Sequence, residues 1–161
     1  MRAIIIPLTM VISLASSTAT DSFEEARVAL MSAIQKADES SICDALELVA
    51  KHDQQQSANL FLQYGLPHES LLVHEEALRL VRSLESDGAR EAIRIASRKS
   101  KSGSRRLDAL RVIRAWPKSM SRPELLLRLH DREWIVVAEA VRALRDHPAT
   151  ESVNALIEKM P

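Results

Sequence analysis

The chain has 161 residues, enough for one domain with a proper core and too few for two unless both are small. Hydrophobic residues make up 46% of it, aromatics only 3%, with 3 Gly and 6 Pro, so small and medium aliphatics must fill the core and the tight turns of an all-β fold are too few; an all-α fold is expected. The formal net charge of zero hides a polarity: residues 20–88 carry 5 Lys/Arg against 13 Asp/Glu, and residues 89–161 carry 16 against 9, nets of −8 and +7. Such asymmetry bears on partners and association, not on fold.

The chain begins with Met1 and Arg2, then an apolar stretch from Ala3 to Leu14 broken by Pro7, Thr9 and Ser13. Ser17 and Ala19 follow at the small-x-small spacing that a signal peptidase accepts, so residues 1–19 read as a cleaved signal peptide and the product as exported, periplasmic or extracellular, with an uncleaved anchor as the alternative. The stretch is too short for a membrane span, which needs about 20 apolar residues, and no span is expected once the signal is cleaved. Residues 20–161 then form one domain. Asp21 to Ala37 reads as an N-terminal capping helix, with Ser22 and Glu25 as a capping box and Phe23, Ala26, Leu30, Ile34 and Ala37 on one face.

From there the chain repeats itself. CDALELVAKH from Cys43, EEALRLVRSL from Glu75, LDALRVIRAW from Leu107 and AEAVRALRDH from Ala138 align without gaps at steps of 32, 32 and 31 residues. Ala45, Ala77, Ala109 and Ala140 share a column, as do Leu46, Leu78, Leu110 and Val141, and Val49, Val81, Ile113 and Leu144. Within each segment these positions fall on one stripe of an α-helix. A second helix is expected in each unit, over Ala58–Tyr64, Ala89–Ser97, Pro123–Leu129 and Glu151–Met160, presenting Phe61, Ile93, Leu125 and Leu156 at one column. In the last of these, Val153, Leu156, Ile157 and Met160 are read as inward-facing. Asp87, Asp131 and Thr150 suit N-caps, Ser121 with Pro123 and Glu124 reads as a capping box, and Pro67, Pro117 and Pro148 fall between helices. The repeats run over about 41–66, 68–100, 101–130 and 131–161. One such hairpin cannot bury its stripe alone, whereas several in a row share a core.

A period near 31 with an Ala-Leu column and a short second helix resembles the HEAT-like repeats of bacterial scaffold proteins and phycobilin lyases. The likeness is best in DREWIVVAEAVRALRDHPATESVNALIEKM, from Asp131 to Met160, with Ala140, Ala143, Leu144 and the Leu156-Ile157 pair at the family's spacing. It covers about residues 41–161. The family's Val-Arg is matched only by Arg106, and its Gly after Ala-Leu is replaced by Ala50, Arg82, Arg114 and Arg145. The resemblance implies a short right-handed α-solenoid of about four helical hairpins behind the capping helix. It implies nothing specific about function, because the motif is a packing pattern.

The most suggestive constellation is an arginine ladder. Arg79, Arg111 and Arg142 occupy one repeat column, and Arg82, Arg114 and Arg145 the column three residues later. Stacked helices lie about 10 Å apart, so these guanidinium groups can line one ridge, and the arginine fork suits carboxylates and phosphates. The plainer reading is a solvated helix face on which each Arg pairs with a neighbouring acid. Arg90, Arg94, Arg98, Lys99, Lys101, Arg105 and Arg106 extend the basic zone, and Lys99 to Arg106 reads as a mobile basic loop.

Other chemistry is thinly represented. The lone Cys43 reads as a buried small hydrophobe, with cross-linking of two chains as its functional alternative. His52, His68, His74, His130 and His147 show no zinc-ligand spacing; His52 and His147 share a column at a helix end, where a cation suits the dipole. No nucleophile, phosphate-loop or dinucleotide motif is present, so no catalytic residue, metal or cofactor is expected. Trp116 and Trp134 each flank a turn and read as packed under loops, with partner anchoring as the alternative. Nucleic acid is an unfavoured partner, since no aromatic residues interleave the basic zone and an exported protein rarely meets it. The expectation is a non-enzymatic, protein-binding scaffold whose ridge meets an acidic protein, with a homo-oligomer possible because one half of the chain is acidic. A lyase-type or other small-ligand enzyme component and a passive structural envelope protein are the alternatives.

Overall fold

A computed structural model describes residues 17–146 together with residues 154 and 157, with side chains from residue 22 onward. The described residues are all-helical. In chain order they form α1 (Ser17–Lys36), α2 (Glu39–Ala50), α3 (Gln55–Leu60), α4 (Leu71–Arg82), α5 (Asp87–Lys99), α6 (Gly103–Ile113), α7 (Lys118–Arg128) and α8 (Trp134–Arg145). Most of the expected signal peptide lies outside the described residues, while Ser17 to Ala19 open α1. None of the described helices is long and apolar enough to cross a membrane. The second helix expected over Glu151–Met160 also falls almost wholly outside the described residues. Of the two residues described there, Asn154 is exposed, and Ile157 is 55% exposed and does not face inward.

Helices α2, α4, α6 and α8 form one row in which each packs on the next, α1 covers the free side of α2, and α3 packs beside α5. The alanine column explains the close row: Ala45, Ala77, Ala109 and Ala140 are all buried, and so are Val49, Val81, Ile113 and Leu144. A methyl group at the crossing lets two helix axes approach where Leu would hold them apart. Phe61, Ile93 and Leu125 are fully buried at the expected second-helix column. In the remaining column Leu46, Leu78 and Leu110 are buried, but Val141 is 38% exposed. Leu110 is covered because it packs with Ala140 and Leu144 of the next helix in the row, and Val141 has no such helix over it among the described residues.

Among the described residues the apolar interior forms two clusters. The larger runs from Ala26 of α1 to Trp116; the smaller joins Leu110, Leu125, Leu129, Val136, Ala140, Ala143 and Leu144. Helix α6 serves both, with Ala109, Val112 and Ile113 in the first and Leu110 in the second.

Several helix ends differ from expectation. Helix α1 starts at Ser17, so Ser22 lies inside it and is not its N-cap. Ala37 is not on its apolar face: it is an exposed turn residue with φ 53°, and the amides of Ala37 and Asp38 return to the carbonyls of Ile34 and Ala33 at 3.1 and 3.4 Å. This is the left-handed helix stop that glycine usually makes. Helix α7 starts at Lys118, with Pro117 before it and Pro123 inside it. Ser121 is buried and donates its hydroxyl to the Pro117 carbonyl at 3.3 Å. The proline is tolerated because the carbonyl it deprives is that of Ser119, exposed in the first turn where water can replace the bond. Ser86, and not Asp87, caps α5 by accepting from the Ala89 amide at 3.2 Å. Asp131 lies upstream of α8 and accepts from the Glu133 amide at 3.0 Å. After α3 the chain continues into a π-helical turn, Phe61–Gly65, closed by the Leu66 amide on the Phe61 carbonyl at 2.9 Å. Gly65 is required there, since a Cβ would stand 2.7 Å from Ala77 Cβ on α4.

Candidate functional site

The arginine ladder is built by the row α4, α6 and α8. The repeat of about 31 residues puts each arginine on the same side of successive helices, and the i, i+3 spacing keeps the two columns adjacent on each helix. Four of the six ladder residues come together. Arg82, Arg111, Arg114 and Arg142 line a groove of about 640 Å³, with Leu71, Leu78 and Ala115 as its apolar surface and His74, Glu75 and Glu139 as its other polar groups. Arg79 and Arg145 do not line it. Arg79 is exposed and bonds Glu76 on its own helix, with Glu47 of α2 at 3.4 Å. Arg145 is exposed at the end of α8.

The groove arginines are held to different degrees. Arg114 donates to Glu139 Oε1 at 3.2 Å and to Asp146 Oδ2 at 2.5 Å. The Asp146 bond, with Glu139 assisting against some desolvation, holds its guanidinium above the usual arginine range. Arg142 donates to Glu139 Oε2 at 2.5 Å, so the buried Glu139 carboxylate uses one oxygen on α6 and the other on its own α8. Arg111 reaches Asp108 Oδ1 at 3.4 Å. Asp108 is largely buried, and burial pushes its carboxyl above the usual range while Arg111 and His74 pull it back. Arg82 has no ion pair among the described residues; its Nη2 lies 3.5 Å from the Arg111 carbonyl. His74 Nδ1 sits 2.6 Å from the Leu66 carbonyl, and since a carbonyl only accepts, that nitrogen carries the proton and leaves Nε2 as an acceptor when the ring is neutral. The result is a bowl with spare cationic donors at the Arg82–Arg111 end and a tied, rigid network at the Arg114–Arg142 end. Always-charged guanidinium groups do not exchange protons near neutral pH, so the four arginines are suited to binding anions.

The remaining candidates fall elsewhere. Cys43 is half-buried against the main core, and burial pushes its thiol up, away from a reactive thiolate. His52 meets the edge of the Phe23 ring at 5.5 Å, His68 accepts from the Ser70 amide, and His147 lies outside the described residues. Among the described residues, no group of three or more His, Cys, Asp or Glu stands close enough to hold a metal. Trp116 is buried with the Arg94 guanidinium 5.3 Å from its ring centroid. Trp134 is not packed under a loop: it opens α8 with 76% of its surface exposed.

The basic stretch from Lys99 to Arg106 is not a mobile loop. Helix α5 continues through Lys99, α6 begins at Gly103, and Ser102 caps α6 by accepting from the Arg105 amide at 3.3 Å. Arg106 is 3% exposed and donates in bidentate fashion to Asp131 at 2.9 and 2.7 Å, then to the carbonyls of Ser100 and Lys101 at 2.9 and 3.3 Å. Burial works against the Asp131 carboxylate, but the Arg106 pair and the Glu133 amide outweigh it and hold its pKa below the usual range. A second tie joins Arg98 of α5 to the buried Glu124 of α7. A third runs from the Asp53 carboxylate to the amides of Glu85 and Ser86 at 3.0–3.1 Å. Sequence reasoning missed all three. The available signal was the spacing: 25, 26 and about 32 residues, close to one repeat, separate a charged residue at one helix end from its counterpart in the next unit.

No protein-family model matches the chain, and no curated protein matches it. Among solved structures it is similar to the crystal structure of an engineered protein, 16% identical, over 84% of this chain and 67% of that one. The TM-score of 0.44 is too low for that likeness to carry an argument.

Proposed function

We propose that this chain is a non-enzymatic scaffold that binds an acidic protein segment in the groove between α4, α6 and α8, and that it works outside the cytoplasm after loss of residues 1–19. The proposal includes the finer architecture, a short right-handed HEAT-like solenoid of about four hairpins behind a capping helix. The alanine column at a 31–32-residue period, buried at every helix of the row, supports that architecture. One observation carries the functional reading. Four ladder arginines converge on one groove; Asp108, Glu139 and Asp146 pair with Arg111, Arg114 and Arg142, while Arg82 has no ion pair among the described residues and Arg111 reaches its acid only at 3.4 Å. Exposed Leu71, 72% open at the groove's edge, offers apolar contact beside the charge. An extended segment with alternating acidic and aliphatic residues matches that lining, because carboxylates accept the paired guanidinium donors while a side chain between them covers the leucines.

The test uses the full-length chain and a fluorescent peptide of alternating Glu and Leu, read by anisotropy against a Gln-for-Glu analogue. Saturable binding of the acidic peptide, weakened at least tenfold by Arg82→Glu with Arg111→Glu and unchanged by Arg145→Glu, is expected. Equal binding of the two peptides, or an Arg145 effect as large as the groove effect, would overturn the reading. A photo-crosslinker at Ala115, in the groove, should capture an acidic partner in the native cell that the same group at Ser104 does not.

A further inference from the structure

A second cluster of positive charge lies away from the arginine groove, where the turn after α5 meets the turn after α7. The cleft there holds about 400 Å³ and is lined by Arg98, Lys99, Lys101, Arg106, Arg128 and Arg132, with His130 and a single carboxylate, that of Asp131. Cations gather at helix C-termini for an ordinary reason, since they complement the carbonyl end of the dipole, and part of this cluster is accounted for that way. Arg106 is spent on Asp131 and on the carbonyls of Ser100 and Lys101. Arg128 gives Nη1 to the Ser97 carbonyl at 3.0 Å, Arg132 gives Nη2 to the Lys101 carbonyl at 2.6 Å, and Arg98 is paired with Glu124.

The charge balance does not close on those contacts. Six cations have Asp131 and Glu124 as their carboxylates at ion-pair distance, and Glu124 also takes Arg94 at 3.7 Å; Glu133 and Glu91 act on Arg106 and Arg98 only through space. Backbone carbonyls orient a guanidinium but carry no net charge to cancel it. Lys99 and Lys101 are exposed and form no ion pair among the described residues, and Arg128 keeps a buried Nε with no acceptor. The turns that carry these groups are also fixed, not floppy. The bidentate Arg106–Asp131 pair locks one to the other, and two arginines of the later turn bond carbonyls 31 residues earlier. An anion entering the cleft would therefore meet a backbone frame already set, so that only the exposed lysine side chains have to order around it.

We propose that this cleft binds a phosphate monoester group, a compact dianion whose oxygens accept from Lys99, Lys101 and Arg132 at its mouth. A doubly charged tetrahedral oxyanion answers an excess of clustered cations better than one carboxylate does, because it presents more acceptor oxygens and twice the charge to the same few donors.

The full-length chain is titrated with inorganic phosphate by calorimetry, with chloride at matched ionic strength as the control. Saturable binding is expected for phosphate alone. Lys99→Gln, Lys101→Gln and Arg132→Gln combined should weaken it at least tenfold, and since all three are exposed the variant should fold, as circular dichroism verifies. Arg82→Gln with Arg111→Gln, in the groove, should leave it unchanged. Flotation with phosphatidic acid vesicles separates the sources: recovery that depends on the same three residues assigns a lipid headgroup, and phosphate binding without flotation assigns a soluble phosphorylated molecule. Absence of saturable phosphate binding, or an undiminished heat in the triple variant, would overturn the proposal while leaving the acidic-peptide groove untouched.

Discussion

Removing Asp131 should be among the most damaging single changes on the polar side of this protein. Its carboxylate and the Arg106 guanidinium are each 3% exposed and joined by two parallel bonds, with Arg128 a further 3.5 Å away. Asp131→Ala leaves a charged guanidinium beneath the turn with only the carbonyls of Ser100 and Lys101 as acceptors. Breaking a buried pair from one side costs about 3–5 kcal/mol. The lower end applies here because the vacated volume lies just under the short Ser100–Ser102 link and water can enter it. At about 2–4 °C per kcal/mol for a chain of this size, a loss of about 3 kcal/mol lowers Tm by about 6–12 °C. Urea unfolding followed by circular dichroism measures the change. Replacing both partners by apolar residues, Arg106→Met with Asp131→Leu, should cost less than either single truncation. A loss below about 1 kcal/mol for Asp131→Ala, the bottom of what leaving a buried group without its partner costs, would refute the view that the pair is sealed from water. The pH dependence gives a second check. The folded pKa of Asp131 is lowered, so its contribution is fully present above the unfolded value of about 3.9. It is lost as pH falls through the folded value, and the Asp131→Ala penalty should shrink over that interval.

Asp108 should behave in the opposite sense. Its folded pKa is raised by burial, so stability falls as pH rises from about 3.9 through the folded value; Asp108→Asn should stabilise the protein at neutral pH, with the gain vanishing below that interval in pH-resolved urea titrations. Gly65→Ala drives a methyl to within 2.7 Å of Ala77 Cβ, a rigid neighbour, and should cost about 1–3 kcal/mol as overpacking does. Gly103→Ala meets only the flexible Glu133 side chain at 2.8 Å and should leave thermal unfolding nearly unchanged. Asp53→Ala removes the acceptor for the Glu85 and Ser86 amides at the start of α5 and should lose about 0.5–2 kcal/mol, as loss of a helix cap does. Faster hydrogen exchange concentrated at those amides would identify the cause.

What was legible in the sequence is what a short-range apolar period can encode. The buried alanine column and the Phe61, Ile93 and Leu125 column could be placed because a residue facing the core has no alternative chemistry, and its period survives every local irregularity. Helix ends were less legible, since several arrangements satisfy the same backbone groups. Ser121 with Pro123 imitates a helix start, yet α7 gains five more residues because the Ser119 carbonyl can turn to water. Ala37 takes a left-handed turn that composition would give to glycine. The charged residues were the hardest to place. KSKSGSRR has the makeup of a solvated loop, and only the long-range partner Asp131 takes Arg106 into the interior. Of the ladder, the common side of the helices could be foreseen. The Arg79–Glu76 bond is an ordinary i, i+3 pair, but that Arg79 also meets Glu47 while Arg82 has no ion pair among the described residues depends on where acids on other helices come to lie, which no local pattern encodes.

Helix α6 has a place unlike any other, as the party wall between two rooms of unequal size. The smaller room, seven residues around Leu110 and Leu144 among the described residues, shares that wall, so α7 and α8 should come away together, ahead of the rest, when the protein is pulled or warmed. The groove spans this wall, with Arg82 on one side of it and Arg142 on the other. Any guest long enough to touch both acts as a tie-bar across the weaker joint, and its grip would be felt as greater mechanical strength in a part of the molecule it only brushes.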